Sequence, residues 1–177
     1  MFKHLFAAAI LITTFTSCKN LVPYTDALKV KNSWSDDDIK RIQFYVSEDI
    51  VLQRQLNSGN TEIVDGKIKM VDGKQVEEII IRRGTPGVLT NIPRSQKLEI
   101  SFEKSDSYSL SFGANADQNN KFILLASNWN GRIGKVNYNG KEYFTSPESA
   151  YSILLVDLRK IDETRYNQRV AKGRKVR

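Results

Sequence analysis

The sequence predicts an all-β domain, either an antiparallel sandwich or a partly closed barrel of about ten strands. Three observations carry that prediction. Strict two-residue alternation recurs, as in Leu98, Ile100 and Phe102 against Lys97, Glu99, Ser101 and Glu103. Short apolar runs such as Ile79-Ile80-Ile81, Phe122-Ile123-Leu124-Leu125 and Ile153-Leu154-Leu155-Val156 are too brief for helices. Tight-turn dipeptides punctuate them: Asp65-Gly66, Asp72-Gly73 and Asn139-Gly140.

Taken in order, residues 18–32 read as a polar tether. If extended, the stretch spans at most about 40–45 Å. Ser35 followed by Asp36-Asp37-Asp38 marks one helical turn: a hydroxyl cap, then carboxylates at the positive end of the dipole. Ile42, Phe44 and Val46 alternate with Arg41, Gln43 and Tyr45, so that turn leads straight into a half-buried strand. Lys67-Ile68-Lys69-Met70 is a short strand between two turns. Tyr108, Leu110 and Phe112 alternate with serines, making a one-side-wet strand that pairs with Leu98–Phe102. The unbroken apolar runs are expected at central positions, covered on both faces. The β domain extends over 33–164, and 165–177 is a basic tail.

The amino terminus has a different character. Lys3 and His4 precede an apolar run, Leu5 to Phe15, that is shorter than the roughly 20 residues a membrane-spanning helix needs. Small residues and then Cys18 follow, the layout of a secretory signal. Residues 1–17 are therefore read as a signal peptide. Phe15-Thr16-Ser17-Cys18 resembles the cleavage box of bacterial lipoprotein precursors, with Phe15 where that family usually carries Leu, Val or Ile. The resemblance implies that Cys18 is lipidated and becomes the first residue of the mature chain. It also implies a location outside the cytoplasm. Lys19, rather than Asp, after the cysteine points to the outer membrane facing the periplasm. The run Ile42–Val46 with Asp49–Leu52 is similar to uncharacterised small envelope lipoproteins, a similarity that implies no activity.

That reading constrains chemistry. The single His lies in the signal and the single Cys is acylated, so the mature chain has neither imidazole nor thiol. Ser-His-Asp or Cys-His catalysis, disulfides and His/Cys zinc sites are excluded. Roughly 160 mature residues suffice for one packed core.

Charge is unevenly placed. The chain has 27 basic and 20 acidic residues. Arg165, Arg169, Lys172, Arg174, Lys175 and Arg177 crowd the tail, which has no acid. Apart from these six and Lys3, the signs balance. The tail is a candidate contact for anionic lipid, cell-wall carboxylates or an acidic partner, or else a plain solvated end. An exported protein rarely meets nucleic acid, and none is expected here.

Several local patterns carry candidate chemistry. Asn115 to Asn120 spaces oxygen side chains as a calcium loop does, but offers one carboxylate; a turn is the plainer reading, and no metal or cofactor is expected. Arg82-Arg83-Gly84-Thr85-Pro86-Gly87 lacks the following helix of a phosphate loop. Asn128-Trp129-Asn130-Gly131 places Trp129 in an apparent turn, a candidate recognition loop, or else a ring folded back on the sheet edge. Glu77, Glu78, Glu99 and Glu103 are the carboxylates a glycan hydrolase would require, each expected to face solvent. The function expected is a non-catalytic accessory, assembly or docking module acting through an envelope protein partner. The alternatives are a glycan-, lipid- or peptide-binding module and a carboxylate-based cell-wall hydrolase.

Overall fold

A computed structural model describes residues 20–56, 67–71, 74–94 and 97–159, with the side chains of 67–74 and 94 left aside. The signal segment, Cys18, the Asp65-Gly66 and Asp72-Gly73 turns and the basic tail lie outside the described residues.

The strands run in chain order as β1 (Leu21–Pro23), β2 (Phe44–Val46), β3 (Ile50–Gln55), β4 (Lys67–Val71), β5 (Lys74–Ile81), β6 (Pro86–Arg94) and β7 (Lys97–Ser101). They continue as β8 (Ser109–Asn115), β9 (Lys121–Leu124), β10 (Asn128–Asn130), β11 (Ile133–Tyr138), β12 (Lys141–Thr145) and β13 (Leu154–Asp157). All pair antiparallel in two sheets. One has seven strands in the order β1-β13-β2-β6-β7-β8-β9; the other has six, β10-β11-β12-β3-β5-β4. The expected all-β architecture is therefore present, as a sandwich. Two isolated bridges, Thr25 with Lys121 and Ile123 with Ile153, link β9 back to the β1 and β13 side, so the seven-stranded sheet curls toward closure.

The core lies between the sheets. Phe44, Ile100, Leu110, Phe112, Phe122, Leu124, Leu154 and Val156 from one meet Ile50, Leu52, Val136, Tyr138 and Tyr143 from the other. Alternation explains the selection, since a strand turns successive side chains to opposite faces. The expected pairing of the two one-side-wet strands is β7 with β8, in the register Leu98–Phe112 and Ile100–Leu110. At Asn139-Gly140 both residues have positive φ, 52° and 70°, which closes the β11–β12 hairpin.

Three expectations need correction. First, the polar tether is folded from Leu21 onward. Leu21–Pro23 pair with β13, Tyr24 is buried, and Thr25 caps helix α1 (Asp26–Lys31), its Oγ1 accepting from the Leu28 N–H. Polar composition concealed this because β1 is an edge strand and α1 buries no residue. Second, the apolar runs are not covered on both faces: Ile80 is 42% exposed, and Ile123 and Leu155 are half-buried. Third, β2 is more enclosed than alternation implied, with Tyr45 buried beside Phe44 and Val46.

The expected helical turn is α2 (Asp36–Lys40), closed by a capping box. Ser35 Oγ accepts from the Asp38 N–H at 3.1 Å and Asp38 accepts from the Ser35 N–H at 2.8 Å. No described helix is long and apolar enough to cross a membrane.

Candidate functional site: the outer face of the six-stranded sheet

The hairpin of β11 and β12 generates this face. In Ile133–Tyr138, Gly134, Val136 and Tyr138 turn inward, which sends Ile133, Lys135 and Asn137 outward. In β12 the adjacent aromatics Tyr143 and Phe144 must take opposite faces; Tyr143 is buried and Phe144 is 49% exposed. Register then aligns the outward residues. Asn128, Lys135, Phe144, Gln53 and Glu78 form one row across the sheet. Asn130 with Ile133, and Val51 with Ile80, belong to the next. Ile133 is 44% exposed. The result is an apolar strip of Ile133, Phe144, Val51 and Ile80, bordered by amides and charge.

Asn128, Asn130, Ile133, Lys135 and Phe144 line an open depression of about 370 Å³. Lys135 is tied to Glu142 at 2.8 Å. At the adjoining corner Arg132 donates to the Tyr151 hydroxyl at 2.9 Å and lies over its ring. Tyr151 is itself exposed.

Trp129 supports this face from behind. It is a strand residue of β10, half-buried and opposite Gly134, so the recognition-loop reading of its surroundings gives way to the folded-back one. A Cβ on Gly134 would stand 2.7 Å from Trp129 Cζ3 and 2.8 Å from Ala126 Cβ. Glycine at 134 therefore makes the room the indole occupies. The Gly134 N–H donates to Thr145 Oγ1 at 2.8 Å, fixing β11 to β12 beneath it.

The carboxylates are placed differently from expectation. Glu77 and Glu78 are 3% and 6% exposed, not solvent-facing. Glu77 points into the core side, where Arg54 Nε and Nη2 donate at 3.0 and 2.5 Å and the Tyr143 hydroxyl donates at 3.1 Å. Glu78, on the opposite face, accepts from Gln53 Nε2 at 2.8 Å. Neighbouring positions on one strand cannot aim both carboxylates at one bond. Glu99 accepts from Asn91 and Glu103 from the Tyr138 hydroxyl, at 3.1 and 2.6 Å. Each is engaged by a structural partner. Burial and then the neighbouring Glu77 charge push the Tyr143 hydroxyl up to about 12, and burial followed by Glu103 raises Tyr138 well above the usual phenol range.

The other sequence candidates resolve simply. Asp36, Asp37 and Asp38 form the first turn of α2, with Asp36 on Lys29 and Asp37 on Lys40. Hydrogen bonding from Lys29 and its charge hold the Asp36 carboxyl below its ordinary value. Residues 116–118 make a 3-10 turn, after which Asn119 and Asn120 adopt left-handed backbone. Residues 82–87 join β5 to β6 and lead into that strand, with the Arg83 N–H bonded to Asp49.

Ile133, Phe144, Lys135, Asn128 and Asn130 escaped the sequence reading. The signal available was the pair Tyr143-Phe144, since two aromatics in succession on a strand leave one outside. Comparison of the chain with protein-family models, curated proteins and solved structures returns no match.

Proposed function

We propose that this protein is a lipid-anchored module of the bacterial cell envelope, held in the outer membrane through Cys18 and facing the periplasm. In this reading it docks a partner protein through the outer face of its six-stranded sheet and performs no catalysis. The observation that carries the docking role is the exposed strip of Ile133, Phe144, Val51 and Ile80 over a packed interior. Large apolar side chains left outside a well-filled core are the mark of an association surface. Tyr and Arg at its border, here Tyr151 and Arg132, are residue types that anchor interfaces. A small-ligand role would call for a concave site lined mainly by apolar and aromatic groups. The depression is open and shares its lining between two amides, one lysine and two apolar side chains.

The test is a photo-crosslinking amino acid placed at position 144 in intact cells. The expected result is one discrete protein adduct, lost when Ile133→Asp is added and absent when the crosslinker is at Val30, which is also exposed. Phe144→Glu should leave the melting temperature within about 2–3 °C, because the ring is half outside. No adduct at 144, or equal adducts at 144 and 30, would contradict docking by this face. Transfer of label to glycan instead of protein would favour a saccharide-binding module.

A further inference from the structure

The lipid anchor and the basic tail leave the folded domain at the same end. β1 and β13 are antiparallel, with Leu21 opposite Asp157, so β13 finishes where β1 begins. Only Cys18, Lys19 and Asn20 precede Leu21, a leash of about 10 Å at full extension. Six residues separate Arg159 from Arg165, which can reach about 20 Å. β2 pairs with the far side of β13, Val156 opposite Phe44, which brings the exposed Lys40 and Arg41 to this end as well. The acidic groups nearby are engaged: Asp157 is buried and near Arg159, Asp37 is bonded to Lys40, and Asp36 to Lys29.

From this arrangement we infer that residues 165–177 are a second membrane contact, binding anionic lipid headgroups of the leaflet that holds the acyl chains. The inference rests on the lipoprotein reading of Cys18. An anchor joined to a folded edge by so short a leash turns that end of the sandwich toward the bilayer. The first basic residue of the tail then starts within a few Debye lengths of the headgroups, whereas a tail leaving the opposite end would be held farther off. Tethering converts a weak electrostatic attraction into an intramolecular one at high effective concentration. The folded body is charge-balanced, so the six cations supply the attraction. A lone acyl site with a polybasic segment is a recognised way to strengthen attachment.

The experiment uses the full lipidated protein carrying Ala171→Cys, labelled with an environment-sensitive dye and reconstituted in vesicles with a headgroup acceptor. Because acylation consumes the Cys18 thiol, the expected stoichiometry is one dye per chain. Two dyes per chain, with no flotation on phosphatidylcholine vesicles, would mean that the anchor itself fails, a separate outcome from failure of the tail. With the anchor intact, energy transfer should be strong when phosphatidylglycerol is present, weak in phosphatidylcholine alone, and lost in high salt. Replacing Lys172 and Lys175 by Gln should lower the bound-to-free ratio of the tail at least about tenfold, and replacing all six cations should abolish binding. Equal transfer in neutral and anionic vesicles, or no effect of the six-fold replacement, would overturn the inference. So would a tail that binds acidic peptides but ignores phosphatidylglycerol.

Discussion

Tyr143 donates to Glu77, and Glu77 also receives two bonds from Arg54, whose guanidinium lies 5.6 Å above the Tyr143 ring. Tyr138 packs edge-on against Tyr143 and donates to Glu103. These bonds use the neutral phenols, so ionisation breaks them and puts a phenolate beside a carboxylate. The consequence is an alkaline limit. A pKa raised in the folded state contributes stability below the unfolded value near 10, lost as pH climbs through the folded one. The melting temperature should stay level to about pH 9 and fall between about pH 10 and 12, with buried tyrosinate absorbance appearing only as the protein unfolds. Full tyrosine titration at pH 10 with no loss of structure would contradict the network. Residue-scale roles were the least legible in the sequence. The flanking residues of Glu77 gave the pattern of a wet strand position. Only pairing β3 with β5 in the Arg54–Glu77 register shows that both sit on the core side.

At the scale of elements, β10 and β11 depend on one small residue. Gly134 leaves space for Trp129, and any Cβ there collides with the indole and with Ala126. Gly134→Ala is expected to destabilise the domain by about 1–3 kcal/mol, as overpacking does, with a red-shifted Trp fluorescence as the ring is pushed out. An unchanged denaturation midpoint would show that β10 is not clamped there. Much at this level was readable beforehand. Ser35 and Asp38 gave the α2 cap, alternation gave β7 and β8 as partners, and Asn139-Gly140 gave a hairpin. What escaped was Leu21–Lys31. A three-residue edge strand is too short to show a period, and α1 turns no side chain fully into the core, so neither left a hydrophobic signature. The exposed strip escaped for a related reason: apolar runs were assigned two buried faces, whereas Ile80 and Phe144 face outward.

For the molecule as a whole, the sequence made an all-β body legible through turns and alternation. The choice between sandwich and barrel depended on long-range pairings that no local pattern encodes, such as β12 with β3 and β13 with β2. The folded body runs to Arg159 in the described structure, and residues 165–177 show no apolar period. Deleting 165–177 is therefore expected to leave the melting temperature within about 2–3 °C. A large drop would make that segment part of the fold rather than an appendage.

The lipid at Cys18 underlies the envelope location, the absence of thiol and imidazole chemistry, and the orientation of the sandwich. Intact-mass analysis of the protein extracted from its native membranes tests it most directly. The account predicts a chain that begins at Cys18 and carries a diacylglyceryl group, and a Cys18→Ser variant lacking that mass. A chain beginning at Met1, or one cut elsewhere and bearing no lipid, would contradict it.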